Sequence, residues 1–375
     1  MSVDRDVVPA SPLPVTLIPG DGIGPEVIGA ARAVIEATGA PIAWDIQQAG
    51  AIAVHERGES LPDDVIDSIR TAKVALKGPT ATMTSGERPV SVRLRAELGL
   101  ELGVRPVRSW PGLFASVHAT RGNGLDVLLL RMLGEDLYAG LELEADDEAA
   151  DDLRLLWASR GRRLPKDTAF SLKPMSGRAI ERFARAALAY ARRQGRRHVT
   201  IVHKATVMRA TDGRFRSIVM EAAERLGGFD VDERLVDTAC LDLIRKPQGF
   251  DVVLAPVMYG DILSDLIAGL AGGLGVAPGA NVGPDIAVFE AVHGTAPGLA
   301  GLDRANPIAA ILTGAMLLRH LGLPVAAHRV ETAVGCALSD GRTLTYDLAG
   351  VPRHHPAVAG TKAMAEAIIA ALPPR

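Results

Sequence analysis

The chain has 375 residues, 48% hydrophobic and 23% charged, with a formal net charge of −3 at pH 7, so it can bury one large or two modest cores and is too apolar for extended disorder. Its basic residues are scattered rather than gathered, which excludes an electrostatic footprint for nucleic acid or an anionic membrane surface. Its two cysteines, Cys240 and Cys336, can build neither a disulfide framework nor a cysteine metal cluster, and a reducing, cytoplasmic setting is expected.

The N-terminus, MSVDRDVVPASPLP, places acids and prolines where a signal peptide needs an apolar run, and residues 1–13 are expected to form a loose tail. No later apolar run is long enough to span a bilayer. Residues 15–18 read as a strand that runs into PGDGIGPE at 19–26, after which 27–38 has the apolar spacing of a helix. Strands are expected at 74–77, 103–107 and 127–131, with a helix at 93–98. From 142 to 172 the sequence turns charged and irregular, with ADDEAADD and SRGRRLPKD, and reads as a protruding arm with a solvated surface. A helix over 179–193, a strand at 199–203, a helix over 216–226 and a buried strand at 251–255 follow. The stretch GLAGGLGVAPGANVG at 269–283 is too glycine-rich to be regular throughout. This alternation predicts an α/β fold.

Several short motifs could carry chemistry. PGDGIGPE lacks the G-x-G-x-x-G spacing of a dinucleotide loop, so it is either a tight structural turn or a different ligand loop. In YGDILSD, Asp261 and Asp265 stand four apart, which puts both carboxylates on one face if a helix starts at Gly260. Like charges so placed repel, and a hard divalent cation such as Mg2+ or Mn2+ would compensate them; two solvated acids at a helix start are the plainer reading. Asp237 could add a third carboxylate. Arg95, Arg105 and Arg131 fall at helix and strand ends, where guanidinium groups can fork onto carboxylates or simply face solvent. Lys204 follows the strand VTIVH directly, and His293 sits in the small-residue loop FEAVHGTAP.

Taken together, PGDGIGPE, ELGLELGVRPVR, EDLYAGLE, VHKATVM, YGDILSD, GGLGVAPGANVG, FEAVHGTAP, ANP at 305–307 and TLTYD at 343–347 occur in the order and spacing of one family. Over roughly 15–370 the chain resembles the β-decarboxylating dehydrogenases for isocitrate and isopropylmalate. EDLYAGLE with its acidic arm, SLKPMSGRAIERFARAALAYA and the late TYD are more similar to the isocitrate enzymes. The resemblance implies two domains around a cleft, a non-Rossmann cofactor site and a clasp arm. The large cofactor-binding domain would be 14–100 with 272–375, the small substrate and dimer domain 101–135 with 181–271, and the arm 136–180. It also implies a homodimer whose active sites are each built from both chains.

Carried over by motif, Arg95, Arg105 and Arg131, with Ser91, would hold the carboxylates of a 2-hydroxy polycarboxylic acid of the malate type. Asp261 and Asp265, with Asp237 of a second copy, would hold Mg2+ or Mn2+. Lys204, also from the second copy, would act as the base and Tyr138 as the acid. Thr80, Thr206, Glu290, His293, Gly294, Thr295, Ala296, Asn306 and Tyr346 would line the nicotinamide cofactor. The expected reaction is oxidative decarboxylation with NAD(P) as hydride acceptor; the alternative is a catalytically weak binding or regulatory subunit of the same fold.

The chain departs from the family pattern around specificity positions. Met132 and Leu133 stand where the family has Glu and Asn beside the arginine clamp. Pro89 and Ser91 replace the Ser and Asn that meet the third carboxylate of isocitrate, which points to an isocitrate, isopropylmalate or homoisocitrate analogue as substrate. Thr206 and Val257 replace two Asn. Gly298, Leu299 and Gly350 occupy the places of the Lys, Tyr and Arg that hold the 2′-phosphate of NADP, with only Tyr346 kept, so NAD is favoured over NADP.

Overall fold

The computed structural model describes residues 6, 11–81, 88–113, 124–352, 355 and 358–374. Residues 83–87 of the 83–92 loop, which is expected to meet the group on the substrate's third carbon, lie outside this set. Twelve strands are present among the described residues: β1 Leu13–Ile18, β2 Ile42–Ile46, β3 Val74–Lys77, β4 Leu102–Arg108, β5 Asp126–Met132, β6 Glu142–Leu143, β7 Phe170–Ser171, β8 His198–His203, β9 Asp230–Leu235, β10 Val252–Ala255, β11 Ala280–Val282 and β12 Ala287–Glu290. Ten of them form one mixed sheet in the order β2-β1-β3-β12-β11-β4-β5-β10-β8-β9, and β6 pairs with β7 apart from it.

The central strands are continuous apolar runs because helices cover both sheet faces. All four residues of β10 are buried, and β10 pairs in parallel with β5 and β8, the arrangement expected when crossover helices shield a sheet from water. On one face a core cluster gathers side chains from helices Gly24–Ala37, Gly177–Arg193, Asp212–Leu226, Ile308–His320 and Pro324–Asp340. On the other, helices Val236–Arg245 and Val257–Ala271 pack onto Val127, Leu129, Val202 and Val253.

Helix Gly177–Arg193 shows how sequence dictates placement. Ile180, Phe183, Ala184, Ala187, Leu188 and Ala191 are buried, the i, i+3, i+4 spacing that lines one helical face. The Ser176 hydroxyl accepts a hydrogen bond from the Ala179 amide at 3.2 Å, a cap that contributes about 1 kcal/mol. Phe183 stacks on Phe215 with ring centroids 5.7 Å apart, which locks this helix to its neighbour.

One expectation needs correction. The stretch 142–172, read as irregular, contains the helix Glu148–Ser159 between β6 and β7. Its acids favour the helix rather than opposing it, because Glu148 and Asp151 lie in the first turn, where the positive end of the dipole stabilises them. Arg154 then ties the arm together, donating to the carbonyls of Ala145 at 2.8 Å and Thr168 at 3.0 Å. Leu155, Leu156 and Trp157 remain exposed on this helix.

Candidate active site

β4 and β5 run antiparallel with Gly103 opposite Arg131, and that register places the first elements of the site. A Cβ on Gly103 would come within 2.6 Å of the Arg131 Cγ, and one on Gly260 within 2.4 Å of its Cβ. The two glycines therefore form a slot through which the buried Arg131 stem reaches the start of helix Val257–Ala271. Replacing Gly260 by Ala is expected to push Arg131 aside, lowering stability by about 1–3 kcal/mol through overpacking and raising substrate KM, read by thermal unfolding and steady-state kinetics.

Arg131 is 2% exposed and its guanidinium pairs with Asp261. Arg105, 4% exposed, donates to the carbonyls of Val104 at 2.9 Å and Ala280 at 2.8 Å and to Asn281 Oδ1 at 3.3 Å. Burial, then the charges of Arg131 and Arg95, push its pKa down to about 9; it stays a cation near neutrality, but an unfavourably placed one. Burial and Arg131 likewise lower Arg95. The Nε atoms of all three arginines are buried without a hydrogen-bond partner. Three crowded cations with unused donors make a trap for a multiply charged anion.

Helix Val257–Ala271 begins three residues before Gly260, so Asp261 and Asp265 lie one turn apart within it. Asp261 accepts from Arg131 and from the Tyr138 hydroxyl. Burial opposes its ionisation, yet Arg131, Tyr138 and Arg95 together hold its pKa below the ordinary carboxylate value. Asp265 goes the other way, raised by burial and then by the charge of Asp261. One carboxylate is thus anchored by cations and the second is repelled by it, an arrangement that a bound cation would relieve. Burial and the Asp261 hydrogen bond push Tyr138 up to about 12, so it keeps its proton at working pH.

Ser91 does not stand free. Its hydroxyl donates to Glu290 Oε1 at 2.9 Å and accepts from Lys77 Nζ at 3.1 Å, while Lys77, fully buried, also pairs with Glu290 at 2.5 Å. Burial opposes the Glu290 charge, but Lys77, Arg95 and Ser91 hold its pKa below the ordinary value. Asn281 donates to Glu290 Oε2 at 3.4 Å and accepts from Arg105. A continuous polar chain therefore joins Ser91, Glu290 and the arginine clamp.

Lys204 and Asp237 form an ion pair with each other, and among the described residues no group of three or more metal-binding side chains gathers. Asp237 is thus not brought to Asp261 and Asp265 within one chain. The loops carrying Lys204 and Tyr138 share an anchor. Asp212, fully buried, accepts from the Lys204 amide at 2.7 Å and from Lys173 Nζ at 2.5 Å. Lys173 also stands 3.5 Å from Asp136, which accepts from the Leu137 amide at 2.8 Å and the Met258 amide at 3.2 Å and so fixes the turn Asp136–Ala139 that presents Tyr138.

The expected cofactor positions fall in two described segments, with Thr80 and Thr206 apart. In the first, His293 Nδ1 contacts the Gly294 carbonyl at 3.1 Å while Nε2 is buried without a partner, a polar atom placed for a ligand. The Thr295 carbonyl accepts from the Ile23 amide at 2.9 Å, and Ala296 adopts φ 39°. In the second, Asn306 donates to Asp347 at 2.9 Å, which joins Asn306 to the turn Tyr346–Ala349. Thr80 precedes Ala81, whose amide donates to Asp21. Thr206 is exposed, two residues beyond Lys204. Sequence reasoning missed Lys77, Asp136, Lys173, Asp212 and Asn281, since nothing local marks a charge or amide as buried.

A family model described as isocitrate/isopropylmalate dehydrogenase matches residues 14–368. The chain is 41% identical over 337 residues to a probable NAD isocitrate dehydrogenase subunit alpha, mitochondrial, of Caenorhabditis elegans, covering 90% of this chain and 87% of that protein. It is 37% identical over 342 residues to the mitochondrial NAD isocitrate dehydrogenase catalytic subunit 5 of Arabidopsis thaliana, covering 91% and 85%. The crystal structure of isocitrate dehydrogenase from Methylococcus capsulatus matches with a TM-score of 0.85 at 42% identity, covering 96% of this chain and 99% of that one.

Proposed function

The chain belongs to the isocitrate/isopropylmalate dehydrogenase family, and from that premise we propose that it oxidatively decarboxylates a malate-type 2-hydroxy acid with NAD as hydride acceptor. The observation that carries this reading is the trio Arg95, Arg105 and Arg131, each with a buried, unpartnered Nε, beside the Asp261–Tyr138 pair. Their unused donors fit the carboxylates of the substrate, and the repulsion between Asp261 and Asp265 fits a divalent cation. The third metal carboxylate is Asp237 of a second copy.

Asp261 and Asp265, with Asp237 of a second copy, would hold the cation, which would supply polarisation of the 2-hydroxyl, and a bound nicotinamide would accept the hydride. The chain supplies the rest. The three arginines fix the carboxylates so that carbon 2 faces the cofactor loop. Lys204 of the second copy relays the hydroxyl proton, and loss of carbon dioxide from the resulting β-keto carboxylate leaves an enolate. Tyr138, held in its protonated form, returns a proton to carbon. Homodimerisation is supported by the apolar side chains Val207, Leu241, Ile244 and Ile262, which lie exposed near Lys204, Asp237 and Asp261 in sequence. The division into a cofactor domain, a substrate and dimer domain and a clasp arm follows from the same family reading. NAD is favoured over NADP because Gly298, Leu299 and Gly350 offer no side-chain cation for a 2′-phosphate. Retention of Lys204, Tyr138 and the three Asp favours turnover over a purely regulatory role, and the two free cysteines suit a reducing compartment.

The metal assignment is tested without activity. Binding of Mn2+, followed by electron paramagnetic resonance, should weaken by about 10–100-fold in Asp265→Asn, and unchanged binding would remove Asp265 from the metal site.

A further inference from the structure

The loop PGDGIGPE at 19–26 is the most specific stretch of the N-terminal half that the proposed chemistry leaves without a task. Its backbone and the Asp21 side chain reach three distant segments. The Asp21 amide donates to the Pro79 carbonyl at 2.7 Å, and the Ile23 amide donates to the Thr295 carbonyl at 2.9 Å. The Asp21 carboxylate accepts from the Ala81 amide at 2.7 Å through Oδ2 and from the Ala51 amide at 2.9 Å through Oδ1. Asp21 therefore grips the segment holding Thr80 from both sides, by an amide before it and a carboxylate after it.

The glycines show how close these approaches are. A Cβ on Gly20, which has φ 78°, would fall 2.2 Å from the Pro79 carbonyl oxygen, and one on Gly22, at φ 60°, would fall 2.1 Å from that of Thr295. A Cβ on Gly50, at φ 94°, would fall 2.2 Å from Asp21 Oδ2. Any side chain at these places would push the joined segments apart. As a carboxylate Asp21 accepts both amides at once, one on each oxygen, and charge-assisted bonds of this kind are stronger than neutral ones.

We propose that Asp21 is a positioning residue, and that the glycine loop acts as a brace setting the distance between the Thr80 segment and the Thr295 segment, rather than as a phosphate cradle. This rests on the reading that Thr80 and Thr295 contact the cofactor. Asp21 touches no reacting atom in this account, so its loss should disturb the fit of cofactor and substrate more than the chemical step.

The test compares wild type with Asp21→Ala, Asp21→Asn and Gly50→Ala. Hydrogen exchange of the Ala81 amide in the ligand-free protein should speed up by about tenfold or more in Asp21→Ala. The KM values for NAD and for the hydroxy acid should each rise about tenfold with kcat within about threefold, since loss of alignment is the only change. Asp21→Asn, which keeps one acceptor oxygen, should fall between wild type and Asp21→Ala. Gly50→Ala, which displaces the carboxylate from the other side, should act in the same direction. Unchanged Ala81 exchange in a folded Asp21→Ala would overturn the brace. So would a lowered melting temperature with both KM values unchanged, or a fall in kcat alone. If Asp21→Ala does not fold, Asp21→Asn and Gly50→Ala decide by the same readings. If wild type itself turns over no hydroxy acid, the functional reading fails, and the exchange experiment still decides the brace.

Discussion

Lys204→Ala is expected to cut turnover by about 10²–10⁴-fold, the usual contribution of a positioned general base, with fold and substrate binding retained. Among the described residues the side chain pairs with Asp237, while the anchor that holds its loop is the backbone amide on buried Asp212, which truncation beyond Cβ leaves in place. The same variant tests the shared site. Mixed with Asp261→Asn and allowed to exchange subunits, it should recover about a quarter of wild-type activity, because half of the dimers are then mixed and each holds one intact site of its two. If Lys204 serves its own chain, the mixture stays as inactive as its parents. Wild-type rates for Lys204→Ala alone would remove it from the chemistry.

Arg105→Met is expected to weaken binding of the hydroxy acid by about 10²–10³-fold, the cost of losing one member of a desolvated charge pair, yet to leave the ligand-free protein as stable as wild type or more so. The fall of its pKa from the ordinary arginine value to about 9 corresponds to roughly 4–5 kcal/mol against the buried cation at about 1.4 kcal/mol per tenfold change. Its three hydrogen bonds to Val104, Ala280 and Asn281 return roughly 1 kcal/mol each. Repulsion and desolvation therefore win while no anion is bound. The sign with pH follows. Above about 9 the unfolded chain still binds the proton that the folded chain has lost, so wild-type stability relative to Arg105→Met is flat below that pH and rises above it. Thermal unfolding at pH 7 and pH 10 with matched binding titrations checks both halves. A variant much less stable than wild type at pH 7 would show that the arginine is a structural strut.

The central strands were legible because Val127–Leu130 in β5 and all of β10 are apolar runs, and helix Gly177–Arg193 because its buried residues follow one face. Helix Ile308–His320, IAAILTGAMLLRH, was not singled out; it is buried nearly all round and so lacks the polar stripe that gives periodicity. The Asp261–Asp265 pair was visible from spacing alone, although the helix beneath it starts earlier than expected, directly after Pro256. Lys77 and Asn281 were invisible for a physical reason. Lys77 meets Glu290 across 213 residues of chain, and only the β3–β12 pairing, which sets Lys77 opposite Glu290, turns two unremarkable charges into one buried pair.

The measurement that bears most directly on the proposed activity follows NADH and carbon dioxide together, with Mg2+ or Mn2+, across isocitrate, isopropylmalate, homoisocitrate and malate. The account predicts that at least one acid yields both products in equal amounts, faster with NAD than with NADP, and that a chelator abolishes both. Absence of both products across the panel from a well-folded protein would contradict it, as would NADH formed without carbon dioxide.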